Sequence, residues 1–93
     1  MAGQESAETL ALQALGWLAE DRDRLGDFLA ATGASPGDIA SLAGDSAFLG
    51  AILDHLLSSD DLVIGFCQSE GLANDAPMRA RQALPGGAQW HWT

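Results

Sequence analysis

Lysine and tyrosine are absent from this chain, and cysteine occurs once. Four arginines stand against thirteen acids, for a formal charge of −9. A surface so short of cations cannot neutralise phosphates, which argues against nucleic acid and against an anionic membrane face. A cationic partner, or simple solubility, suits that balance. With Cys67 alone, no intramolecular disulfide can form. No apolar run approaches the roughly 18 residues of a membrane span. The opening "MAGQESAETL" has neither a basic n-region nor a following apolar h-region, so no secretory leader is expected. These absences together lead to the expectation of a reduced, cytoplasmic domain.

What the chain does contain is helix. Its 93 residues suffice for one domain, and 47% hydrophobic content is a folding composition. In "SAETLALQALGWLAED" Ser6 reads as an N-cap, and Leu10, Ala11, Ala14, Leu15 and Leu18 share one face, with Trp17 at its edge. "DRDRLGDFLAATG" carries Leu25, Phe28, Leu29 and Thr32 at helical spacing before Gly33, placed to stop the helix in the left-handed region. Ser35, Pro36 and Asp38 open a third short helix that Gly44 is expected to end. Asp45 starts a fourth, whose predicted core residues are Phe48, Leu49, Ile52, Leu53, Leu56 and Leu57. The fifth places Leu62, Val63, Phe66 and Cys67 together and ends at Gly71. A last helix spans about 76–84, with Arg79 and Arg81 read as a solvated face opposite Ala80, Ala83 and Leu84.

"LGWLAEDRDRLGDFLAATGA" (15–34) lies over "LDHLLSSDDLVIGFCQSEGL" (53–72) without gaps. Leu15 meets Leu53, Leu18 meets Leu56, Asp23 meets Asp61, Phe28 meets Phe66, and Gly33 meets Gly71. Two units are too few for an open solenoid, which needs about three or more. The expectation is therefore an all-α compact bundle of five to six short helices, built as two pseudo-symmetric helical hairpins. Its expected limits are a flexible 1–5, a helical domain over 6–87 and an aromatic tail over 88–93. In the same register Trp17 meets His55, each at the edge of an apolar face.

"ALQALGWLAEDRDRLGDFLAATGASPGDI", "GDSAFLGAILDHLLSSDDLVIGFCQSEGL" and "RARQALPGG" together resemble a small helical domain family of unknown function, found mainly in alphaproteobacteria. The resemblance covers about residues 9–87. Its carriers are Trp-Leu-Ala at 17–19, Phe28 to Gly33, Gly-Asp-x-x-Phe at 44–48 and Leu-Pro-Gly-Gly at 84–87. It implies an all-α fold and a bacterial cytoplasmic setting. It implies no activity and no site residues.

Chemistry is sparse. "DRDRLGD" at 21–27 imitates the start of a calcium loop, but Leu25 and Thr32 stand where ligands are needed. Asp21, Asp38, Asp45, Asp60, Asp61 and Asp75 read instead as caps and helix-dipole partners. Cys67, His55 and His91 are too few and too scattered for zinc, and Asp54 projects away from the apolar face. No metal and no cofactor is expected. Cys67 reads as a small core residue, and Arg22 and Arg24 as offsets to the surrounding acids. Neither a nucleophile elbow nor a phosphate-binding glycine loop is present.

The tail "AQWHWT" concentrates two of three tryptophans in its last four residues. Trp90 and Trp92 would share one face of an extended chain, with His91 on the other. Three fates are open: folding back or swapping onto a dimer mate, docking on another protein, or disorder. The first is favoured here, and tryptophan is a preferred hot-spot residue in either interaction. The resulting expectation is a non-catalytic acidic interaction module that binds an unknown protein partner or itself, with Trp90, His91 and Trp92 as partner-binding residues. The alternative, from another class, is a small-molecule-binding or minor catalytic pocket near Trp17 and His55.

Overall fold

The computed structural model describes residues 2–84, with side chains from Ser6 onward. Six helices follow in order: α1 (Ala2–Ala19), α2 (Arg22–Thr32), α3 (Ile39–Leu42) after a 3-10 turn at Pro36–Asp38, α4 (Ser46–Leu57), α5 (Asp60–Glu70) and α6 (Ala76–Ala83). There is no strand among the described residues, and the fold is an all-α compact bundle.

Local chemistry sets most of the helix ends. The Asp21 carboxylate accepts from the Asp23 and Arg24 N–H groups at 2.9 and 3.3 Å, satisfying two donors that the helix start would leave free. Asp45 does the same for Ala47 N–H at 2.9 Å. Gly33 and Gly71 stand at φ 75° and 69° and close α2 and α5. Each N–H turns back to a carbonyl, Gly33 to Leu29 and Gly71 to Cys67. A Cβ is strained in that left-handed conformation, which is why glycine occupies both positions.

Three boundaries depart from the sequence expectation. The helix α1 begins at Ala2, so Ser6 lies inside it rather than capping it. Alanine, glutamine and glutamate ahead of Ser6 are good helix formers that carry the turn upstream. Gly44 does not stop α3. That helix ends at Leu42 with Ala43 as its C-cap in the right-handed region, and the chain passes through Gly44 into the Asp45 cap. At α5 the cap position belongs to Ser59, with Asp60 and Asp61 in the first turn as dipole partners.

The core is a layer of alanines on α1 against larger side chains on α4. Ala7, Ala11, Ala14, Leu15 and Leu18 face Phe48, Leu49, Ile52, Leu53 and Leu56, with Phe28 and Phe66 fully buried between the hairpins. Small residues on α1 let α4 and α6 approach closely. Leu57, expected in the core, is only half-buried, and Ala83 is exposed.

The 38-residue repeat survives in three dimensions. The ends of α1 and α4, both limits of α2 and α5, and the two left-handed glycines all stand in that one register. The aromatic contacts repeat as well. Trp17 meets Phe66 edge-on, with ring centroids 5.8 Å apart and planes at 61°. The equivalent pair, His55 and Phe28, stands at 5.4 Å and 68°. Each hairpin thus inserts its phenylalanine against the other hairpin's edge residue, the relation expected of a pseudo-two-fold axis.

Candidate functional site

The two edge residues occupy related positions with different consequences. On one side, the Arg24 guanidinium lies 3.8 Å over the Trp17 ring, a cation–π contact. Gly65 backs the same indole so closely that a Cβ there would stand 3.0 Å from Cζ2. Arg24 is therefore more than an offset to acids: its distance to Asp21 is a loose 3.9 Å, and its main support is the indole. On the other side, the smaller imidazole of His55 leaves space. A cleft of about 320 Å³ opens there, lined by Arg24, Asp27, His55, Ser58, Ser59, Asp61 and Leu62. Arg24 borders both Trp17 and this cleft, but Trp17 does not line it.

His55 is half-buried against Phe28. Burial pushes its pKa below the usual 6.5, with Asp27 pulling weakly the other way. The imidazole is therefore neutral near pH 7, able to donate at one nitrogen and accept at the other. The Ser58 hydroxyl beside it donates to the His55 backbone carbonyl at 2.5 Å. Among the described residues, no group of three or more His, Cys, Asp or Glu is placed to hold a metal ion. Cys67 is buried, its thiol donating to the Ala73 carbonyl at 3.3 Å, and burial with Asp75 nearby raises its pKa above the usual 9.0.

One arginine contradicts the sequence reading outright. Arg81 is buried, and its Nε and Nη2 donate to the two Asp54 oxygens at 2.6 and 3.2 Å. The guanidinium lies flat against Gly50, where a Cβ would stand 3.1 Å from Cζ and Nη1. Asp54 stays partly in water, its side chain 36% exposed, while its carboxylate meets Arg81 of α6. A signal was present in the sequence. Pro77, Ala80, Arg81 and Leu84 form an i, i+3, i+4, i+7 stripe, and all four are buried. Arg79 does stay on the solvated face, paired with Asp75 at 3.4 Å.

Two further depressions had no counterpart in the sequence reading. A groove of about 350 Å³ runs between α1 and α6, walled by Ala7, Leu10, Ala76, Ala80 and Ala83, with Arg79 and Ser6 at its edge. The other, of about 330 Å³, lies where the end of α2, α3 and α4 meet. Its floor includes Leu42, Ala47, Phe48 and Ala51, and its charged lining is Asp38 and Asp45. Trp90, His91 and Trp92 lie outside the described residues.

Residues 4–87 match the model of the family described as "Protein of unknown function (DUF3572)". The chain belongs to this family. Its match spans all six helices but for the first residues of α1. No curated protein and no solved structure matches the chain. The DUF3572 description assigns no activity, so the functional reading rests on the chain's own residues. No helix among the described residues is long and apolar enough to cross a membrane.

Proposed function

We propose that this chain is a non-catalytic acidic helical module of the bacterial cytoplasm, acting through a protein partner or a second copy of itself. The observation that carries the reading is unspent charge. Of its four arginines, Arg79 and Arg81 pair with Asp75 and Asp54, and Arg24 lies over Trp17 with Asp21 at a loose 3.9 Å. Glu20, Asp23, Asp27, Asp38, Asp45, Asp60, Asp61 and Glu70 are exposed and make no ion pair among the described residues. A field of one sign over a small body steers oppositely charged partners and sets their orientation. Trp90, His91 and Trp92 supply the aromatic anchors such a contact uses.

The test is capture from a bacterial lysate at low salt and at about 0.5 M salt, with the full chain and a chain ending at Gly87. A stoichiometric partner released by salt supports the reading, as does self-association in sedimentation. If truncation abolishes capture, the tail is the docking peptide. Absence of any partner and of self-association at both salt levels overturns the proposal.

A second reading draws on the cleft beside His55, where a neutral imidazole, a guanidinium, two carboxylates and two hydroxyls converge. It predicts a small polar ligand bearing both signs of charge. A thermal-shift screen with amino acids and similar zwitterions tests it, because a ligand that binds only the folded state raises the melting temperature.

A further inference from the structure

We infer that the cleft at the junction of α2, α3 and α4 is the docking site for a basic side chain on an amphipathic segment of a partner protein. The inference rests on the interaction reading above and gives it a place and a chemistry.

The cleft is built for a group apolar along its stem and cationic at its tip. Leu42, Ala47, Phe48 and Ala51 offer an apolar floor, and Asp38 and Asp45 provide its charge. Long basic side chains divide themselves in this manner, laying methylenes on apolar surface and holding the charge at the edge. Both carboxylates are pinned before any partner arrives. One Asp38 oxygen accepts from the Ser35 hydroxyl at 2.7 Å, and one Asp45 oxygen accepts from Ala47 N–H. Their second oxygens accept no hydrogen bond from the described residues, so each keeps a fixed, open acceptor.

Charge complementarity selects the occupant. The chain has no lysine, and no arginine pairs with Asp38 or Asp45 or lines the cleft. The other depressions differ on this point: the α1–α6 groove has Arg79 at its edge, and the His55 cleft holds charges of both signs. Of these three, the α2–α3–α4 cleft alone joins an apolar floor to negative charge with no cation in its lining. One wall of the cleft comes from α3, which is four residues long, has no buried side chain and contributes Leu42.

The probe is a fluorescent amphipathic peptide of arginine and leucine, with a glutamate-for-arginine counterpart, titrated against the full chain. Two variants address the cleft. Asp38→Asn with Asp45→Asn removes both charges while asparagine keeps the capping acceptor at 45. Ala47→Met fills the floor with a good helix former and no charge change. Glu20→Gln with Glu70→Gln matches the double variant in charge but lies elsewhere.

The expected result is binding of the arginine peptide and not of its counterpart. The cleft variants each weaken it about tenfold, and the control changes it less than about twofold. Thermal melts of all variants confirm folding. If the asparagine pair binds as tightly as the unaltered chain, the peptide sits elsewhere, and this site falls while the interaction reading stands. If the unaltered chain ignores the arginine peptide, the charge argument falls. Lysate capture then decides separately whether the module binds proteins by other means.

Discussion

Replacing Asp54 by asparagine removes one charge and almost no volume, and it aims at the least expected contact in the bundle. The Arg81 side chain is 10% exposed and donates two bonds to that carboxylate, at 2.6 and 3.2 Å. Breaking a fully buried pair by deleting one partner costs about 3–5 kcal/mol, because the surviving charge keeps its desolvation penalty. The Asp54 side chain is 36% exposed, so water offsets part of the loss, and about 2 kcal/mol is the expected cost. For a domain of this length that lowers the melting temperature by about 8–16 °C. Thermal and urea unfolding followed by far-ultraviolet circular dichroism would read it. A double-mutant cycle with Arg81→Met isolates the pairwise term, which should be at least about 1 kcal/mol. A coupling near zero would refute the account. Arg81 would then be held by its packing on Gly50 and not by the charge opposite.

The glycines of α1 and α5 should answer alanine with opposite signs. Gly16→Ala meets nothing and should stabilise by about 0.5–1 kcal/mol through helix propensity. Gly65→Ala drives a methyl into Trp17 and should destabilise by about 1 kcal/mol despite the same propensity gain. Equal effects in urea melts would mean that the indole is not wedged there. For His55, the folded pKa lies below the unfolded value of 6.5, so the unfolded chain binds the proton more readily. Stability is therefore fully present above pH 6.5 and declines as pH falls through the folded pKa. His55→Gln should flatten that decline, and an unchanged slope would place the titration elsewhere. Cys67 should react with a thiol reagent only as fast as the bundle opens, since its thiol is buried, bonded to Ala73 and raised in pKa. Labelling at the rate of free cysteine, without denaturant, would contradict its placement.

The features legible in the sequence were those written in adjacent residues. Asp21, Asp45, Gly33 and Gly71 announce helix ends because a cap is a contact within three or four positions. The register linking 15–34 to 53–72 was legible too, because caps and core positions repeat together. Ser6 misled because a good cap is also a tolerable helix residue, and nothing upstream forbade another turn. Arg81 misled for a different reason. A residue type that prefers water was placed by type, although its spacing from Pro77, Ala80 and Leu84 put it in the buried stripe. What admits it is the missing side chain of Gly50 and the carboxylate of Asp54, both on another helix. The two edge residues were paired correctly as Trp17 and His55, yet their difference in size became a cleft only once Arg24, Asp27 and Leu62 were brought beside it. The α2–α3–α4 cleft draws on three elements, and no single stretch of sequence contains it.

The contact between α1 and α6 joins the earliest and latest helices of the domain. On a ribosome, Ala7 and the rest of the α1 stripe would emerge long before Ala80 and Leu84 exist to cover them. Both hairpins could form locally, but the alanine layer could be sealed only when the final helix arrives. Synthesis order thus sets a waiting period during which α1 has an uncovered side, and the last helix acts as the clasp.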